Sequence, residues 1–190
     1  MIRVFYKVFH AKLELLWDDY VFIAVLSSGL PSLIMIHRGV LLNGLGKDAW
    51  SVSFDMLTNF LRWQYFLEIL YFLQLMLLKL SLLLFLLQIF RTSSVAMLLR
   101  LTVGFSFAFG TSSVLATVFQ CWPVSYFWTS WDKEHAGHCM NINGLAWVNA
   151  GINILLDVWM LGLPLYEVLQ LKLSWKKKLS VALMFSVGTL

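Results

Sequence analysis

The chain has 190 residues, of which 60% are hydrophobic and 13% charged, and its formal net charge is +4. A soluble domain is about 45–50% apolar and about 25% charged, so a single water-soluble core would leave large apolar patches exposed. The same figures exclude disorder, a collagen-like fibre and a disulfide-dense secreted module; they leave an integral membrane protein, provided that the apolar residues come in runs of about twenty.

Residues 1–16 alternate basic and apolar positions, the pattern of an interfacial amphipathic segment. They lack the uninterrupted apolar stretch and small-residue cleavage site of a signal peptide. A first span is predicted over 20–36, where Pro31 is tolerable because neighbouring helices can satisfy the backbone group it frees. The second, 66–90, has Leu-Leu-Lys-Leu-Ser-Leu-Leu-Leu-Phe-Leu-Leu at its centre. The third, 95–119, has Arg100 near its start and the small residues Gly104, Ser106, Ala108, Gly110 and Ser112. The fourth, 144–166, closes on Pro164. A fifth opens at Leu179 and reaches Leu190. Twelve helical residues rise about 18 Å, short of a hydrocarbon core of about 30 Å, so the sequence reads as part of a larger bundle. Alternating ten-residue segments are absent, which argues against a β-barrel. The predicted fold is an all-α polytopic transmembrane bundle forming one membrane domain.

Lysine and arginine set the direction of insertion. Arg3, Lys7, Lys12, Arg91, Arg100, Lys172 and Lys176–Lys178 fall on one side, and Arg38, Lys47, Arg62 and Lys133 on the other. The richer side is expected to be cytoplasmic, with the N-terminus inside and loops 38–65 and 120–143 outside. Tryptophans follow the same division, with Trp17 and Trp175 near the inner interface and Trp50, Trp63, Trp122, Trp128, Trp131 and Trp147 in or beside the outer loops. Trp128 and Trp131 lie within the loop proper and are candidate contacts for an extracellular ligand. Topology accounts for the positive charge, so the expected partner is the lipid bilayer and not nucleic acid.

Three ionisable residues fall inside spans: Glu68, Lys79 and Asp157. Each costs about 2.5–3.5 kcal/mol or more if unpaired at a helix centre. Lys79 and Asp157 lie thirteen residues beyond the starts of two spans that enter from the same side. Both are therefore about 20 Å deep, and a buried ion pair is expected. The alternative has Lys79 snorkelling inward and Asp157 bonded to backbone or water. Asn149, Asn153 and Asp157 share one helical face at i, i+4 and i+8, a stripe suited to helix adhesion or to a ligand or ion cavity. Glu68, near the outer mouth, fits a wet vestibule.

Cys121 and Cys139 are the two cysteines, and both fall in the loop expected to be outside. An oxidising compartment favours a disulfide. His135 and His138 beside Cys139 offer a metal site as the alternative, although the usual zinc spacing is missing. No nucleophile elbow, zinc-protease helix, phosphate loop or dinucleotide fingerprint is present, so no enzyme activity is expected.

The block Phe119-Gln-Cys-Trp-Pro-Val-Ser-Tyr-Phe-Trp128, followed by Trp131-Asp132, Glu134-His135, Gly137 and Cys139, resembles the fungal rhodopsin-domain membrane proteins, the group that includes surface-sensing receptor-like proteins of plant-pathogenic fungi. So do Trp17-Asp18-Asp19, Gly44-Leu-Gly46-Lys47, Lys79-Leu-Ser81, Asn153-Ile-Leu-Leu-Asp157-Val-Trp-Met160-Leu-Gly-Leu-Pro164 and Trp175-Lys176-Lys177-Lys178. The resemblance implies a seven-helix architecture with an outside N-terminus, in which the four spans are helices two to five and Leu179 begins helix six. It also implies a loop disulfide. A retinal lysine would belong to the last helix of such a fold, a position Lys79 does not occupy, so no cofactor is assigned. The function implied is a receptor-like protein of the plasma membrane that senses an extracellular or surface cue, with inner loops that contact heterotrimeric G proteins. The alternatives are a transporter or channel component with Glu68, Lys79 and Asp157 as its polar pathway, and a structural or nonfunctional fragment.

Overall fold

In hydrocarbon a chain must satisfy its backbone groups internally, and an apolar run does so most simply as a helix. The computed structural model describes residues 17–43, 45–46, 48, 51–90, 95–132 and 134–170. Its long helices are α1 (Trp17–Ile34), α2 (Phe54–Ile89), α3 (Val95–Val118) and α5 (Ile142–Gln170). Among the described residues, four helical stretches are long and apolar enough to cross a membrane: Ile23–Leu41, Phe54–Ile89, Val95–Val118 and Ile142–Leu163. The architecture is thus a multi-pass helical bundle. The expected amphipathic segment 1–16 and the expected span 179–190 lie outside the described residues.

Two elements extend beyond the sequence expectation. The helix of span one continues past Ile34 as a π-helical segment, Met35–Leu41, so that His37 and Arg38 are helical and not the start of a loop. The second helix begins at Phe54, twelve residues before the apolar run at 66. No proline or glycine interrupts 54–65, and Asp55 in the first turn favours the helix N-terminus. The 36-residue helix is about 54 Å long, well beyond the hydrocarbon thickness, so its first turns overhang the membrane.

Between α3 and α5 a small two-stranded antiparallel sheet forms. β1 (Cys121–Trp122) pairs with β2 (His138–Cys139), with Cys121 opposite Cys139 and Trp122 opposite His138. The short helix α4 (Tyr126–Thr129) lies between them in sequence. This loop defines the disulfide end of the bundle.

α2 is the central element, packed against α1 on one side and α3 on the other. α3 turns Leu99, Thr102, Ser106, Gly110, Ser113 and Thr117 inward at spacings of three and four. Lipid tails are as apolar as leucine, so helices associate through close packing and hydrogen bonds, and small residues at the contact permit the approach. Gly110 is the tightest point on this stripe. A Cβ there would lie 2.5 Å from Met76 Cγ on α2, whereas the space beside Gly104 is open. At the end remote from the disulfide, Leu83 and Leu86 of α2, Val95 and Leu99 of α3, and Met160 and Leu163 of α5 form one apolar cluster.

Gly110→Leu should therefore destabilise the α2–α3 contact by about 1–3 kcal/mol through overpacking. Gly104→Leu should be nearly neutral. Thermal unfolding of the detergent-solubilised protein separates the two, and equal shifts in midpoint would refute the close approach.

Candidate functional site

Lys79 stands in the second half of α2 with its ammonium turned toward α5. Its Nζ donates to Asp157 Oδ1 at 2.6 Å and to the Asn153 carbonyl at 3.0 Å. The lysine side chain is 9% exposed and that of Asp157 is 53% exposed, so the cation is the enclosed partner. One turn back along α5, Asn153 Nδ2 donates to the Asn149 carbonyl at 2.9 Å and to Asn149 Oδ1 at 3.3 Å. Ser113 Oγ of α3 donates to the same Asn149 Oδ1 at 3.0 Å. The i, i+4, i+8 stripe of α5 thus joins α2 and α3 in one polar network. The structure brings Lys79, Asn149, Asn153 and Asp157 together.

Glu68 stands apart. It lies eleven residues before Lys79 on α2, about 16 Å along the axis. Its Oε2 accepts from Gln120 Nε2 at 3.3 Å. Gln120 is buried, and its carbonyl accepts the Met140 N–H at 2.8 Å, which ties α2 to the strand pair. Sequence reading passed over Gln120, Ser113 and Thr117. Their signal was the three- and four-residue spacing that continues the small-residue stripe of α3 to the disulfide end. Thr117 Oγ1 donates to the Ser113 carbonyl within that stripe.

The two cysteines are joined as a disulfide across the strand pair, with Cα atoms 4.0 Å apart and a sequence separation of 18. The two histidines do not converge with other ligands. His135 Nδ1 lies 3.1 Å from Asp132 Oδ2, and His138 is in β2 opposite Trp122. Among the described residues, no group of three or more His, Cys, Asp or Glu side chains could hold a metal. Loss of hydration acts to raise the Asp132 carboxyl, but the Glu134 N–H, the His135 hydrogen bond and the His135 charge outweigh it and hold the group below its usual value.

Trp128 and Trp131 pack onto the overhang of α2. Trp131 stacks on Phe54 with ring centroids 5.2 Å apart, and its Nε1–H donates to Thr58 Oγ1 at 3.2 Å. The Arg62 guanidinium lies 5.8 Å from the Trp128 ring centroid, and Tyr65 meets that ring edge-on. The Tyr65 hydroxyl donates to the Val118 carbonyl at 2.9 Å. Phe54, Thr58, Arg62 and Tyr65 occupy one face of α2 at helical spacing. A reading that treats 54–65 as loop cannot see that face.

The sequence model of the fungal rhodopsin domain matches residues 2–190. A SAT4 family membrane protein of Emericella nidulans is 34% identical over 113 residues, 58% of this chain and 29% of the relative. The chain thus spans less than a third of that relative's length in the match. No solved structure matches the chain.

Asp157→Asn leaves the enclosed Lys79 ammonium unpaired and should cost roughly 3 kcal/mol, whereas Lys79→Met leaves the half-exposed Asp157 carboxylate and should cost less. The double variant should lose markedly less than the sum of the two. Unfolding midpoints of the four proteins in one detergent give the coupling directly, and additive losses would show that the pair is not a unit. Opening the disulfide should cost about 3 kcal/mol in the chain-entropy account. Cysteine alkylation of the unreduced protein should add no mass.

Proposed function

The chain belongs to the fungal rhodopsin domain family, and from that premise we propose a receptor-like multi-pass membrane protein that senses an extracellular or surface cue. The disulfide end faces outside and the N-terminus lies in the cytoplasm, the direction given by the distribution of Lys and Arg. The membrane is the plasma membrane, and the four spans are part of a seven-helix bundle. The basic inner connections, with Arg100 and Lys176–Lys178, are the surface for a heterotrimeric G protein.

One observation carries this reading. The loop at the disulfide end is fastened to α2 by Gln120–Glu68 and Trp131–Thr58, and beyond buried Gln120 of that loop α3 carries the buried polar side chains Thr117 and Ser113, the latter meeting the Asn149–Asn153–Asp157–Lys79 network. A cue that binds one arrangement of the loop better than another shifts the balance between arrangements of that network.

The transport reading uses the same ionisable residues as a path. Glu68 belongs to the loop contact and Lys79 is neutralised by Asp157, so the three do not line one conduit between them. Hydrogen exchange decides whether the loop and the network are coupled. Reducing the disulfide in the reconstituted protein should speed exchange at the amides of 149–157 by roughly tenfold or more. No change there would remove the support for a relay. An electrogenic flux in liposomes that Asp157→Asn abolishes would instead establish transport.

A further inference from the structure

Between α2 and the end of α1 with its π-helical continuation lies an open cavity of about 420 Å³ toward the disulfide end, within the range of about 300–1,000 Å³ that holds small molecules. Its walls include Ser32, Ile36 and Val40 on one side and Glu68, Tyr71 and Gln74 on the other. Ile36 and Val40 come from the π-helical segment Met35–Leu41, a winding that recurs at functional sites. It turns Gly39 onto Trp63, where a Cβ would lie 2.5 Å from the indole Cγ. Gln74 Nε2 is already committed at the deep end, donating to the Ser28 carbonyl at 2.9 Å and to Ser32 Oγ at 2.8 Å.

Glu68 is the one charged residue of this lining. Its recorded partner is a neutral amide, at one oxygen, and among the described residues no lysine or arginine lies within ion-pair distance of it. A carboxylate has about four acceptor positions, so the remaining ones are open to an occupant. An anion is repelled there. A neutral apolar molecule would desolvate the carboxylate without compensation. A bare metal ion needs several oxygen or nitrogen ligands, and among the described residues no cluster of three ionisable ligands exists. A protonated amine on an apolar body meets both demands: the ammonium pairs with Glu68 and contacts the Tyr71 ring, and the body lies against Ile36 and Val40.

We propose that this cavity binds a small organic ammonium ion, with Glu68 as its counter-ion. As the identity of the sensed cue, the assignment rests on the receptor reading; as a binding site, it stands on the geometry. The test uses the full chain in nanodiscs with tryptamine, which is protonated at neutral pH, and tryptophol, its hydroxyl analogue, as probes in equilibrium dialysis against empty nanodiscs. Tryptamine should bind saturably and tryptophol at least tenfold more weakly. Glu68→Gln should abolish that preference while keeping the Cys121–Cys139 disulfide and the unfolding midpoint. Should that variant fail to fold, Ile36→Trp, at an exposed wall position, fills the cavity without touching the carboxylate and should displace tryptamine equally. Equal binding of the two probes, or tryptamine affinity unchanged in the folded variants, overturns the site and leaves the receptor reading standing. Saturable, Glu68-dependent binding with no change in exchange at 149–157 upholds the site and counts against the receptor reading.

Discussion

An ammonium cannot be left bare in hydrocarbon, and the position of Lys79 within the apolar part of α2 makes that the constraint on which the bundle turns. Its partner is on α5, the last described helix, not on either neighbour that α2 packs against most closely. The long lysine side chain therefore spans a distance that packing alone leaves open, and it ties α5 to α2 at that depth. Asn153 must present its carbonyl at the same height as the Asp157 carboxylate.

The rest of the bundle follows the economy of a solvent that gives helices no hydrophobic reason to associate. The inward face of α3 is small and hydroxylated, and Ser113 and Trp159–Thr102 supply hydrogen bonds to α5 where leucines would supply none. The apolar cluster around Leu83 and Leu86 lies at the end remote from the disulfide. Polar contacts thus fix alignment through the middle, and apolar packing closes one end.

The helices were legible because apolar runs near twenty residues have few alternatives in lipid, and equal depth was enough to nominate Lys79 and Asp157 as partners. The polar stripe of α5 was visible as a face but not as a destination, since nothing in a one-dimensional pattern says that Ser113 lies opposite Asn149. The overhang of α2 was hidden for a different reason. Residues 54–65 mix Asp55, Asn59, Arg62 and Gln64 with apolar positions, and a hydropathy reading counts such a stretch as loop, although it is continuous helix. What it positions was hidden with it: the face that receives Trp128 and Trp131. The π-helical segment, which sets Gly39 against Trp63, had no signal in the hydropathy pattern.

The asymmetry of the central pair bears on which element can move. α2 is held along its length by α1 and α3, and its overhang is held by the disulfide loop through Trp131 and Gln120. α5 has fewer fixings: Lys79 with Asp157, Ser113 with Asn149, Thr102 with Trp159, and the side chains of Met160 and Leu163 in the end cluster. Three of these four are polar and can exchange partners without opening a void in a packed core, whereas displacing α2 would break the dense contact at Gly110 and Met76. Rearrangement is therefore cheapest at α5, on the carboxylate side of the pair. The lysine is enclosed, and its half-exposed partner Asp157 sits on the helix with the fewer described fixings.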